Sequence, residues 1–282
     1  MMMLLNWIRA RSGIAKGNGG ESIQAERRNL LSTQSDFFVL EAYKTLRTNV
    51  SFALADKEVC PVIMVTSALQ NEGKSITALN LAVSYAMADR RVLVIDCDLR
   101  RPKIARLLNE RAAVGLSNLI MDPNLRSEAV RSTKIKGLDV LLSGNIPPNP
   151  SELLGSSRME RLLQELRQEY DIIVLDSPPV NVVTDAVVLA PRSDGVLFLV
   201  RANHSERGAV IHAVEQMEYA KAKILGFALN DVEAEKTPFG HGKYRGTYYG
   251  RYGYGKYGYS RYGYSNQNQD AEDDSRETAV KR

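Results

Sequence analysis

Val62-Ile63-Met64-Val65-Thr66-Ser67 runs directly into Ala68-Leu69-Gln70-Asn71-Glu72-Gly73-Lys74-Ser75. Within the first half, residues 62–66 form a short, almost wholly apolar run, which suits a strand inside a parallel sheet covered on both sides. The second half ends in Gly-Lys-Ser at the head of a helical pattern over residues 74–88. In that context consecutive backbone N–H groups can wrap phosphates, a lysine can reach the outer ones and a serine hydroxyl can ligate magnesium. The stretch therefore predicts a nucleotide site built from Ala68, Asn71, Glu72, Gly73, Lys74, Ser75 and Ile76. Ala68 stands where the usual phosphate loop has its first glycine, so its backbone must take a shape that alanine tolerates.

Working outward, similar apolar runs recur at residues 92–96, 138–142, 172–176, 195–200 and 224–229. Helical periodicity fills residues 158–169 and 207–221, and a further helix starts behind Asp36 and runs to about residue 54. Buried strands alternating with helices predict a doubly wound α/β fold with a mostly parallel sheet and helices on both faces. Its boundaries fall at residues 36–238, between a lead-in over 1–35 and a tail over 239–282.

Two further strand ends carry acids. Val92-Leu93-Val94-Ile95-Asp96-Cys97-Asp98 releases Asp96 and Asp98 where ligands of parallel sheets bind, and alternate residues leave a strand on the same side. Ile172-Ile173-Val174-Leu175-Asp176 has the form of a metal-holding aspartate after an apolar strand. Carboxylates beside a triphosphate suit magnesium ligation and acceptance of a hydroxyl proton. Asn230, at the end of the last strand, is placed to contact the base.

Composition excludes several classes. A chain of 282 residues, at roughly 150 per domain, holds one or two domains with a real core. Two cysteines, Cys60 and Cys97, exclude a disulfide scaffold, and no apolar run reaches the roughly 18 residues that span a bilayer. A net charge of +4 gives no reason to expect nucleic acid as a partner of the whole chain. Met1 to Ile8, followed by Arg9 and Arg11, inverts the order of a secretory signal and reads as a frayed end; its apolar and basic character also suits a membrane surface. His204, His212 and His241 show no metal-ligand spacing.

Past Asp231 the composition breaks. Residues 240–265 hold eight of the 20 glycines and nine of the 13 tyrosines, with five basic residues and no acid. Without aliphatic side chains such a segment cannot offset its ordering entropy and is expected to be disordered. The tyrosines are Tyr244, Tyr248, Tyr249, Tyr252, Tyr254, Tyr257, Tyr259, Tyr262 and Tyr264, and they supply candidate phosphoryl acceptors on a flexible tether.

With these motifs in this order, residues 36–265 resemble the bacterial tyrosine kinases of capsule and exopolysaccharide production. Ser143-Gly144-Asn145-Ile146-Pro147-Pro148-Asn149-Pro150-Ser151-Glu152-Leu153-Leu154 looks like that family's linker. The resemblance implies ATP and Mg2+ as cofactors and catalytic roles for Lys74, Asp96, Asp98 and Asp176, with Ser75, Asp98 and Asp176 on the metal. It implies a homo-oligomer, a ring in the family, with contacts through Glu41, Lys44 and Arg47 on one polar stripe; Lys44 replaces an arginine there. Implied partners are a transmembrane polysaccharide co-polymerase on a separate chain, which would bring the domain to the inner face of the membrane, and a cognate tyrosine phosphatase. The family usually has Pro-Gly at Gln70-Asn71, and asparagine tolerates positive φ better than most residues.

The expected reaction is transfer of the ATP γ-phosphoryl group to a tail tyrosine. Two rivals share parts of this pattern. Partitioning and cell-division ATPases carry a second lysine where this chain has Leu69, and a nucleic-acid switch would use the Arg, Gly and Tyr tail for stacking.

Overall fold

Among the described residues eight strands lie in one sheet: β1 (Leu5–Ile8), β2 (Val62–Ser67), β3 (Val92–Asp96), β4 (Val130–Ser132), β5 (Leu138–Leu141), β6 (Ile172–Asp176), β7 (Gly195–Arg201) and β8 (Ile224–Asn230). Their order is β1-β8-β7-β2-β6-β3-β5-β4, parallel throughout except for the antiparallel β4–β5 edge. The computed structural model describes residues 5–8, 24, 26–57, 59–111 and 113–232. The helices are α1 (Phe37–Ala53), α2 (Lys74–Ala86), α3 (Ile104–Leu108), α4 (Leu116–Met121), α5 (Arg126–Ala129), α6 (Pro150–Leu154), α7 (Ser157–Leu166), α8 (Asp185–Leu189) and α9 (Arg207–Tyr219).

Every residue of β2, β3 and β6 is buried, which is why these strands read as unbroken apolar runs. Alternation splits them between two cores. Val62, Met64, Leu93, Ile95, Ile173 and Leu175 face α4, α7, α8 and α9. Ile63, Val65, Val92, Val94, Ile172 and Val174 face α1, α2 and α3. Helix α2 is buried along nearly its whole length because α1 covers its outer side through Tyr43, Leu46 and Val50. The Asp36 carboxylate accepts from Phe38 N at 2.8 Å and caps α1 where the sequence places the cap.

Three sequence expectations need correction. Residues 1–35 are not without regular structure: Leu5–Ile8 pairs with β8 and covers its otherwise open edge, and Leu31 is buried. The Asn80 side chain holds this lead-in, accepting from Leu31 N at 2.8 Å and donating to Asn29 O at 2.9 Å. Second, the polar stripe of Glu41, Lys44 and Arg47 is not turned uniformly to solvent. Glu41 and Lys44 pair with each other at 2.7 Å, whereas Arg47 turns inward and donates to the Ser84 carbonyl on α2. Steps of three residues rotate by about 60° each around a helix, so positions 41 and 47 lie about 120° apart. Third, α7 ends at Leu166 and α9 at Tyr219, short of the expected 169 and 221. The tail over 239–282 lies outside the described residues.

The linker-like stretch 143–154 acquires a physical reason. Ser117 Oγ donates to Asn145 O at 2.6 Å, and Gly115 and Asn145 both donate to Asn118 Oδ1, at 3.2 and 3.3 Å, so the stretch is pinned across the start of α4. A Cβ on Gly115 would lie 2.3 Å from both Gly144 N and Leu142 O, so the two backbones meet only because that position is glycine. Gly115→Ala is expected to push the linker off α4 at a cost of about 1–3 kcal/mol. Denaturant unfolding checks this, and unchanged stability would contradict it.

Candidate nucleotide and phosphoryl-transfer site

The site follows from strand order. β6 lies between β2 and β3, so Asp176 pairs in register with Val65 on one side and Asp96 on the other. Adjacent strands lie about 4.8 Å apart, which brings two carboxylates and the phosphate loop to one sheet edge. Lys74 opens α2 directly above that edge and is buried, with Nζ 3.4 Å from the Leu69 carbonyl.

The three groups differ in how they are held. Asp96 is fully buried, and its two oxygens accept from Asp98 N at 3.2 Å and Ile104 N at 3.1 Å. Asp98 is partly exposed and accepts from Arg101 N at 2.9 Å. Asp176 is fully buried, and among the described residues neither of its oxygens has a hydrogen-bond partner of ordinary geometry. An unpartnered buried carboxylate is costly, and here it faces the head of the phosphate loop.

Electrostatics expresses the same strain. Burial pushes the Asp96 carboxyl well above the usual carboxylate range, and the Asp176 charge adds to it. Burial also raises Asp176, with the nearby Ser75 hydroxyl and Lys74 ammonium opposing. Burial lowers Lys74, opposed by Asp176 and reinforced by Lys103. Two acids and a lysine thus share a dry site in which charge is undersolvated.

These residues fit a magnesium nucleotide. The Asp176 oxygens are orphaned beside the Ser75 hydroxyl, and Gly73, at φ 93°, has its would-be Cβ position 2.1 Å from Asn230 Nδ2, a cradle with no space for a side chain. Among the described residues no group of three or more His, Cys, Asp or Glu could hold a metal by itself. Magnesium needs only one or two carboxylates, since phosphate and water complete its shell.

The AAA domain family model matches residues 61–225. Tyrosine-protein kinase YwqD of Bacillus subtilis (strain 168) is 38% identical over 234 residues, 83% of this chain and 94% of that protein. The chain belongs to the bacterial protein-tyrosine kinases. The kinase domain of Escherichia coli tyrosine kinase ETK superposes with a TM-score of 0.67 at 32% identity, covering 71% of this chain and 78% of that one. Septum site-determining protein MinD of Pyrococcus horikoshii OT3, complexed with Mg-ADP, reaches 0.52 at 20% identity over 61% of this chain and 70% of its own, which shows a shared fold alone.

Within this tyrosine kinase the departures in the loop have local explanations. Ala68 is not among the residues with positive φ, so alanine serves there without strain. Asn71 takes φ 61°, a left-handed conformation that asparagine adopts more readily than most residues. Of the other participants, Asp185 and Ser205 gave no signal in the sequence, whereas Glu72 and Asn230 were among the expected nucleotide contacts. The Glu72 carboxylate is buried, accepts from Leu69 N at 2.7 Å and is bonded by the Ser205 hydroxyl. Arg100 pairs with buried Asp185 at 2.9 Å, and Ser151 of the linker donates to Asp185 within 2.5 Å. Asn230 donates from Nδ2 to the Glu72 carbonyl at 3.0 Å, while its buried Oδ1 has no partner among the described residues. Cys97 is buried between the acids, its thiol raised first by burial and then by their charge.

Proton linkage yields a test. Asp96 and Asp176 bind protons more tightly in the folded chain than in the unfolded one, where aspartate titrates near about 3.9. Stability conferred by their neutral forms is present at low pH and declines as pH rises from about 4 through the raised native values. Without nucleotide and in EDTA, Asp176→Asn is expected to melt above wild type near pH 8, with the difference shrinking toward pH 4. A lower melting point at pH 8, or a difference independent of pH, would contradict this origin.

Proposed function

We propose that this kinase transfers the γ-phosphoryl group of ATP to tyrosines of its own C-terminal cluster and so regulates the polymerisation and export of a capsular polysaccharide or exopolysaccharide. The observation that carries the reading is the orphaned Asp176 carboxylate beside buried Lys74 and the phosphate loop. It leaves a buried carboxylate and a buried ammonium undersolvated, and a magnesium-bound triphosphate would supply a further cation to the one and an anion to the other.

Each residue has a role in this reading. Lys74 and the loop amides stabilise charge on the outer phosphates, and Ala68, Asn71, Glu72, Gly73 and Ile76 shape the cradle. Ser75, Asp98 and Asp176 hold the metal, which when bound withdraws charge from the transferring group. Asp96 orients the incoming phenol or accepts its proton, a task suited to a carboxylate whose proton affinity burial has raised. Asn230 stands at the loop with one free acceptor, as a base contact would require.

The tail supplies the acceptor. From residue 240 to 265 the formal charge is +5, ignoring histidine, so the unmodified segment is drawn to an acidic site occupied by phosphates. Each phosphotyrosine adds about −1.5 to −2, and three offset that charge. Modification would convert attraction into repulsion and loosen an oligomer in which tails occupy neighbouring sites. A separate transmembrane co-polymerase fits as the activating partner, with a phosphatase resetting the cycle. Among the described residues no helix is long and apolar enough to cross a membrane.

Mass spectrometry of the full chain, incubated with magnesium ATP and the co-polymerase's cytoplasmic segment, tests the reaction. Phosphate is expected on tail tyrosines of wild type and reduced at least about a hundredfold in Lys74→Met and Asp98→Asn. Equal labelling of the variants, or an unmodified wild-type tail, would refute the reading. Sedimentation before and after phosphorylation is expected to show a shift to smaller species, and identical sizes would count against the charge-driven release.

A further inference from the structure

Three consecutive carbonyls of the phosphate loop are held from one side. His204 Nε2 lies 3.2 Å from Gln70 O, Arg201 Nη1 donates to Asn71 O at 2.9 Å, and Asn230 Nδ2 donates to Glu72 O at 3.0 Å. All three partners come from the ends of β7 and β8 or from the turn that leaves β7. No peptide bond among the described residues is cis. In a planar trans peptide the C=O and N–H of one unit point in opposite directions. Drawing the carbonyls of residues 70, 71 and 72 toward β7 and β8 therefore turns the N–H groups of Asn71, Glu72 and Gly73 to the opposite side as a set. With Asn71 and Gly73 both at positive φ, this is the form of an anion-binding nest.

Arg201 is the hub of that restraint. Its Nε and Nη2 donate to Asp231 Oδ2 at 2.9 and 2.7 Å, which aims the remaining arm of the fork at Asn71. Its own backbone N–H donates to Ser205 Oγ at 2.7 Å, and that hydroxyl bonds to the Glu72 carboxylate, which in turn accepts from Leu69 N. The side chain is only 15% exposed, so the fork is fixed rather than waving in solvent.

We infer that Arg201 is a positioning residue: it holds the Asn71 peptide with its carbonyl outward and so presents the loop's N–H groups to the nucleotide before the nucleotide arrives. The inference rests on the loop being a nucleotide site, as proposed above. It accounts for a loop that lacks the family's usual Pro-Gly at Gln70-Asn71. A residue with a side chain at φ 61° is less at ease there than glycine, and bonds from outside the loop hold it there. Arg201 reaches the phosphate loop at the Asn71 carbonyl on its outer side, and Lys replaces it incompletely, because a point charge cannot serve Asp231 and Asn71 in the geometry of a planar fork.

The test uses the full-length chain with magnesium and a fluorescent ADP analogue, and magnesium pyrophosphate as a competitor that contacts the loop without a base. In Arg201→Ala both affinities are expected to fall about tenfold and by the same factor, with Arg201→Lys between it and wild type. In the nucleotide-free protein, 15N relaxation is expected to show the amides of residues 71–73 losing order in Arg201→Ala while those of α9 keep theirs. Weakening of ADP with pyrophosphate unchanged would mean that Arg201 serves the base side, and would overturn the inference. So would unchanged affinities and loop order in a wild type that binds both ligands. A wild type that takes up neither ligand would instead overturn the nucleotide reading, and the inference with it.

Discussion

The constraint on which the rest depends is the desolvation of Lys74, Asp96 and Asp176 at the carboxyl edge of a sheet buried on both faces. A parallel sheet of this kind has no wet face, so groups at its strand ends inherit the dry environment of the core. There, Coulomb interactions are strong and an unpaired charge is destabilising. Two carboxylates with raised proton affinity and a lysine with lowered affinity describe a site whose charges are undersolvated in the free protein. In the proposed reading, stability given up there is available as differential binding of a magnesium nucleotide.

Around that centre the polar side chains also fix geometry. Asp96 fastens the turn that carries Asp98, and Asp185 gathers Arg100 and Ser151 and so ties the linker to the turn after β3. Glu72, Arg201, Ser205 and Asn230 fasten the phosphate loop from the side of β7 and β8. A loop whose backbone is its ligand must be rigid before the ligand comes, since ordering it on binding would subtract from affinity.

Much of this was legible in the residue string. Strands apolar on both faces, the Gly-Lys-Ser at a helix start and acids at two further strand ends pointed to the doubly wound fold and to one sheet edge as the place of the candidate site. The edge strands were not legible: β1 is four residues long and β4 three, and neither has the continuous apolar character of the interior. Their assignment depends on what lies beside them. The inward turn of Arg47 was hidden for a similar reason, because a helical stripe drawn from identity at every third position ignores which neighbour each position meets.

The sequence by itself determined local matters: which runs become buried strands, where a loop can approach phosphate, which residues can carry a proton or a metal, and where a basic tyrosine segment begins. These depend on side-chain type and on spacing of a few residues, which the chain carries along its length. Only the tertiary structure decided that β6 lies between β2 and β3, and so sets Asp176 beside Asp96. Only it brought Arg201, about 130 residues away in sequence, to the Asn71 carbonyl. Strand order and loop bracing arise from the packing of distant segments around a shared core, and no short window of residues contains that information.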